Sequence, residues 1–190
     1  MHGLLLNSGG PEALWCARDR TVAGDTLQSL FISISNPPDT ESKAAAEAIA
    51  QQYCQSHHNI LVEGMLPRIA PNRPAYTSTP YQTIVLLTLT ASIAVSLNIS
   101  QIVSGLHFSE LGYPIEDFQA IMDESYMTTW NLTWHFPLLT VSGSNLVRDV
   151  KKHALFPMTH SCINTPICAA SKTHEEYCLP CRRRDMFGAY

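Results

Sequence analysis

Short apolar runs and longer stretches of helical character alternate along this 190-residue chain. Gly3-Leu4-Leu5-Leu6-Asn7 predicts a first strand that turns at Ser8-Gly9-Gly10 into a helix running to about Ala17. The β-prone run from Leu27 to Ser35 predicts a second strand, broken by Asn36-Pro37-Pro38-Asp39. An alanine-rich helix follows over 40–53, capped by Asp39 or Thr40. Asn59 to Glu63 reads as a third strand, and 65–81, with four prolines, as an irregular crossing segment. Beyond it the pattern predicts a buried helix over 84–97, a strand over 101–106, a helix over 115–126, a short strand over 132–136 and a helix over 144–153.

Strands that alternate with helices imply an α/β fold, a parallel sheet with helices on both faces. Crossovers of the usual hand place the turn after the first strand at the carboxyl edge, where such sheets bind ligands. The expected organisation is an α/β domain over 1–155 and a small cysteine-rich module over 156–190.

Charge modifies this picture. Charged residues are 15% of the chain against 45% apolar, which calls for a large core or an oligomer, and a homodimer is expected. The formal net charge of -4 argues against a strongly electrostatic nucleic-acid binder. No acidic or basic residue lies between Arg73 and Glu110, but the apolar heart over 84–97 carries Thr88, Thr90, Ser92 and Ser96. It falls short of the roughly twenty apolar residues of a spanning helix, so no membrane role is expected. Met1 to Leu6 lacks the basic start of a secretory leader, and a reducing cytoplasm is the expected setting.

Of six cysteines, Cys16 and Cys54 stand alone on predicted helices, whereas Cys162, Cys168, Cys178 and Cys181 crowd the C-terminal end. Cys178-Leu179-Pro180-Cys181 is a two-residue knuckle that lets two thiolates converge on one tetrahedral zinc. Cys162 and Cys168 complete a four-ligand structural site, with His174 as the substitute; a buried thiol cluster is the alternative. Arg182-Arg183-Arg184 beside it reads as a solvated face balancing thiolate charge. His57, His58 and His107 show no partner pattern, and Trp130 and Trp134 suit core or dimer contacts better than stacking on a purine.

The turn Asn7-Ser8-Gly9-Gly10-Pro11-Glu12 sits between a strand and a helix, so its backbone N–H groups suit either a plain tight turn or a phosphate site. It is neither a Walker loop, lacking Gly-Lys-Ser/Thr, nor a dinucleotide fingerprint, lacking the third glycine.

Taken with the C-terminal cysteines, this turn resembles the pyrophosphate loop (PP-loop) of the N-type ATP pyrophosphatases, usually Ser-Gly-Gly-x-Asp-Ser. Within that superfamily the chain is similar to 7-cyano-7-deazaguanine synthase, through Gly105, Gly112-Tyr113-Pro114, Phe136-Pro137-Leu138-Leu139 and Thr159-His160-Ser161-Cys162. The resemblance implies an adenine nucleotide alpha hydrolase-like fold. It also implies ATP and Mg2+ at Ser8, Gly9, Gly10, Pro11, Glu12 and Ala13, and Zn2+ at the four cysteines. The implied reaction adenylates a 7-deazaguanine carboxylate and converts it with ammonia to the nitrile of the queuosine precursor. A carboxylate is a poor electrophile until one oxygen becomes a phosphate leaving group, and the loop would hold the departing pyrophosphate. Several positions depart from the pattern. Glu12 replaces Asp and Ala13 the second hydroxyl, Tyr81-Gln82-Thr83 stands for Arg-Asn-Thr, and Gly143 for a lysine. Ser109-Glu110-Leu111 and Ile115-Glu116 flank the Gly-Tyr-Pro, and Ser35-Asn36-Pro37-Pro38 replaces Gly-Gln-Arg-His. These departures keep open a paralogue that adenylates another acceptor in RNA modification or phage defence, or a weakened nucleotide-binding module.

Overall fold

A computed structural model describes residues 1–33, 40–62, 80–106, 115–122, 124 and 130–160. Five strands form one sheet in the order β3-β2-β1-β4-β5: β1 (His2–Leu6), β2 (Thr26–Ser33), β3 (Cys54–Leu61), β4 (Gln101–Ser104) and β5 (Thr133–His135). Every pairing is parallel. The helices are α1 (Pro11–Val22), α2 (Thr40–Tyr53), α3 (Pro80–Ser96), α4 (Ile115–Met122) and α5 (Gly143–Val150), with a 3-10 turn at Phe156–Met158.

Alternation along the strands sorts the helices between two faces, because successive side chains point to opposite sides. Leu4, Leu30, Ile102 and Trp134 pack with Leu87, Ala91 and Ala94 of α3 and Phe118 and Met122 of α4. On the other face Leu5, Leu27 and Val103 pack with Ala13, Leu14 and Ala17 of α1, Ile49 of α2, and Leu146 and Val150 of α5. The central strand is thus covered on both sides, and it reads as an unbroken apolar run.

Several elements differ from the sequence expectation. Helix α1 continues past Ala17 to Val22, since its last turns are a polar outer face. It stops where Ala23 N–H bonds Asp19 O at 3.0 Å and Gly24 takes a φ of +83°, and Arg20 Nε then holds Asp25 Oδ2 at 2.6 Å. Strand β3 starts at Cys54, directly after α2, five residues before the expected Asn59. Its first half is polar because β3 is the outermost strand, where backbone pairing with β2 does not require apolar side chains. Cys54, expected on a helix, therefore opens a strand and is half-buried, while Cys16 is fully buried on α1. Burial pushes the Cys54 thiol up to about 12 and the Cys16 thiol higher still, so both are inert at neutral pH. Helix α3 begins at Pro80, a residue suited to a first turn. It is uncharged, and Thr90 returns its hydroxyl to Leu86 O at 2.8 Å. No helix among the described residues is long and apolar enough to cross a membrane. Trp134 is buried and stacks on Phe136 with centroids 5.4 Å apart, a core role; Trp130 is exposed.

Phe118 is fully buried and meets Phe136 edge-on at 5.0 Å. Its replacement by Ala is expected to lower unfolding free energy by about 3–5 kcal/mol, measured by urea denaturation; a loss under about 1 kcal/mol would show that α4 does not carry this face of the core.

Candidate functional site

In this strand order the chain runs outward from β1 to β2 and β3 on one side and to β4 and β5 on the other. The crevice beyond the carboxyl ends of β1 and β4 is therefore the switch point of the sheet. Residues 7–13 fill it.

Asn7 follows β1 directly and is wholly buried. Its Nδ2 donates to Ala46 O of α2 at 2.8 Å and to Ser29 Oγ of β2 at 3.0 Å, and its Oδ1 accepts Gly9 N–H at 3.1 Å. Ser29 Oγ lies 2.9 Å from His57 Nδ1, so a polar chain crosses from β1 to the edge strand. Gly9 has a φ of +77°, and a Cβ there would sit 2.3 Å from Ser42 O, so only glycine lets α2 approach the loop this closely. Gly10 is the N-cap of α1, in an extended conformation, and brings no side chain over the helix start. A Cβ on Gly105, just past β4, would come within 3.0 Å of Glu12 backbone, so a second glycine admits the start of α1 into the crevice.

The residues expected to hold phosphate are brought together. Ser8 is exposed, and its Oγ accepts Gly10 N–H at 3.4 Å. Pro11 occupies the first helical position, where a missing N–H costs nothing. Glu12 folds back over the loop, its Oε2 2.8 Å from the place a Gly10 Cβ would take. Ala13 buries its methyl in the α1–α2–α5 core, so what it presents at the helix start is its backbone N–H. Helix dipole and amides together favour an anion here. The Glu12 carboxylate opposes one unless a divalent cation lies between them.

Of the other expectations, Gln82 and Thr83 fall in the first turn of α3 and Gly143 opens α5. Cys162, Cys168, His174, Cys178 and Cys181, along with Ser35, His107 and Gly112-Tyr113-Pro114, lie outside the described residues. Among the described residues no cluster of three His, Cys, Asp or Glu could hold a metal. An open groove of about 260 Å³ lined by Trp15, Arg18, Asp19, Val22 and Asp149 follows the outer face of α1 and includes no loop residue.

Sequence reasoning passed over the structural roles of Asn7 and His160. Asn7 was legible only as a polar residue closing an apolar strand before two glycines. His160 donates its N–H to Gly9 O at 2.9 Å, a contact across 151 positions that no local signal announces.

No family model matches the chain, and no curated protein does. Solved structures share its fold. One, described as a predicted subunit of tRNA methyltransferase from Methanocaldococcus jannaschii, aligns with a TM-score of 0.51 at 14% identity, covering 78% of this chain and 72% of that one. Another, the U34-tRNA thiolase NcsA from Methanococcus maripaludis with its 4Fe–4S cluster, aligns with a TM-score of 0.55 at 12% identity, covering 100% of this chain and 70% of that one. The parallel sheet and these likenesses give the α/β, adenine nucleotide alpha hydrolase-like fold.

Two outcomes follow from the polar chain behind the loop. Asn7→Ala leaves Gly9 N–H and Ala46 O without their partner and is expected to cost about 1–3 kcal/mol per stranded group, read from the shift in urea midpoint; an unchanged midpoint would show the network to be idle. Burial holds the His57 imidazole below its ordinary value of 6.5, and burial with the Arg20 guanidinium does the same to His135. The unfolded chain then takes up protons near pH 6.5 that the folded chain refuses. Stability is full above that pH and falls on acidification toward the lowered native values. The urea midpoint at pH 5.5 should lie below that at pH 7.5, with a smaller difference in His57→Gln.

Proposed function

We propose that this chain is an ATP-dependent PP-loop enzyme that activates an acceptor by adenylation, in the chemistry of RNA modification. The observation that carries the reading is the turn Ser8-Gly9-Gly10, with Gly9 at φ +77°, that sets the N-terminus of α1 at the switch point of a parallel sheet. The acceptor favoured is the carboxylate of a 7-deazaguanine, as in the synthase that the chain resembles. Its oxygen attacks the α-phosphorus of ATP, pyrophosphate leaves, and ammonia then displaces AMP to give the amide. A second ATP adenylates the amide oxygen with release of pyrophosphate, and loss of AMP and the two amide protons gives the nitrile.

The loop holds the β- and γ-phosphates through the backbone N–H groups of Gly10, Glu12 and Ala13, with Ser8 Oγ beside them. When bound, Mg2+ supplies charge neutralisation at the departing pyrophosphate, and Glu12, set over Gly10, is the residue to hold it. A single carboxylate agrees with the ordinary habit of Mg2+, which binds few protein ligands and keeps phosphate and water as the rest. Zinc at Cys162, Cys168, Cys178 and Cys181 and a homodimer belong to the same reading.

A second reading has the acceptor on the tRNA itself. What favours it is that the two solved structures described above bear names of tRNA-modifying proteins.

Calorimetry with ATP and Mg2+ is expected to show one site per chain, and Gly9→Ala to abolish binding. Incubation with ATP, ammonia and 7-carboxy-7-deazaguanine should release AMP and yield nitrile. AMP release only with tRNA would select the second reading, and no ATP binding by the wild type would sink both.

A further inference from the structure

Residues 156–160 return the chain from the far side of α1 to the loop. Phe156 is buried in the α1–α2–α5 core, and the turn it opens is fixed by Thr159, itself buried. The Thr159 hydroxyl donates to Phe156 O at 2.7 Å and its N–H to the same carbonyl at 3.1 Å. This anchor delivers the next residue, His160, to the loop.

His160 reaches both the loop and α2. Its backbone N–H meets Gly9 O at 2.9 Å, and its imidazole Nε2 lies 3.4 Å from Glu41 Oε2 in the first turn of α2. That turn of α2 is where Ser42 O would collide with any Cβ on Gly9. Gly9 is therefore held on three sides: Asn7 Oδ1 on its N–H, His160 N–H on its carbonyl, and α2 against its Cα.

The carbonyl contact has a geometric consequence. Gly9 C=O and Gly10 N–H belong to one planar trans peptide and point to opposite sides of it. Drawing the carbonyl toward His160 aims the Gly10 N–H away from His160, to the side where Ser8 Oγ accepts it at a long 3.4 Å. A donor held by so loose an internal contact exchanges it readily for a phosphate oxygen.

We propose that His160 is a positioning residue for the phosphate-binding loop: its N–H pins the Gly9–Gly10 peptide so that Gly10 N–H faces the bound phosphate, and its imidazole, through Glu41, locks that arrangement to α2. The role rests on the ATP reading above. It also joins the C-terminal part of the chain to the nucleotide site, since a displacement of residues 156–160 would turn the peptide and its donor together.

Two substitutions separate the contacts. His160→Ala keeps the N–H and removes the imidazole, whereas His160→Pro removes both. Thr159, at φ -63° and ψ 137°, already has the backbone that a following proline accepts. In the full chain, ATP affinity by calorimetry is expected to fall severalfold in His160→Ala and by at least about tenfold in His160→Pro, the loss of a hydrogen bond to a charged acceptor's donor. His160→Gln, which keeps a side-chain N–H for Glu41, should restore affinity toward wild type, and Glu41→Ala should add little to His160→Ala. Hydrogen exchange at the Gly10 amide should quicken in His160→Pro while the melting temperature changes equally little in the Ala and Gln variants. Wild-type ATP affinity in both His160→Ala and His160→Pro, or unchanged Gly10 exchange in His160→Pro, would overturn the role and leave the ATP reading standing. A wild type that binds no ATP overturns the ATP reading and this role with it.

Discussion

The buried amide of Asn7 is the contact on which the site depends. A carboxamide taken out of water must find partners for both its oxygen and its nitrogen or cost the fold several kilocalories. Asn7 meets this by bonding β2 through Ser29, α2 through Ala46 O and the loop through Gly9 N–H. Three elements distant in sequence are thereby fixed against the end of the central strand. The same bonds oblige Gly9 to take a left-handed φ and bring α2 within contact of it, so loop shape and helix placement are one constraint. A leucine here would have continued the apolar strand but left the turn and α2 free to drift.

Much of the fold was legible because its signals are local. The short apolar runs at Leu4-Leu5-Leu6 and Leu30-Phe31-Ile32 and the β-branched pair Ile102-Val103 suit strands buried on both faces, and the alanine-rich stretch over 40–53 suits a helix. The failures share a physical cause. Cys54 to His58 lack an apolar period since an edge strand is held by its backbone, and the helix reading stops at about Ala17 because Arg18 to Val22 bury no residue that would extend its apolar face. Side-chain pattern reports what is buried, and neither stretch is buried enough to show one.

The candidate site was legible in its glycines and not in its supports. Ser8-Gly9-Gly10 between strand and helix announces the tight turn, with either a plain turn or a phosphate site open to it, from sequence alone. That Gly105 admits Glu12 to the crevice, or that His160 reaches Gly9, depends on strand order and on contacts across ninety or more positions. The shortage of charge has two origins here. Uncharged α3 covers one sheet face with Leu87, Ala91 and Ala94, and a loop that offers backbone amides, as the proposed phosphate site does, requires no lysine.

This distinction bears on how the departures from the family pattern should be weighed. Pro11 falls where no N–H is needed, Ala13 turns its side chain into the core, and Glu12 keeps a carboxylate at the helix start. Those three changes leave the backbone N–H groups of the loop in place, so on the proposed reading they would spare the part of the site that meets phosphate. The lost cations at 81 and 143 are different in kind, for a side-chain charge acts over a longer range and on charge that develops as pyrophosphate leaves. A loop of backbone donors binds ground state and transition state nearly alike, whereas a missing cation is felt mainly in the transition state. If the chain is the ATP-dependent enzyme proposed above, its divergence would therefore fall on the rate of transfer and on the choice of acceptor more than on the capacity to hold a nucleotide.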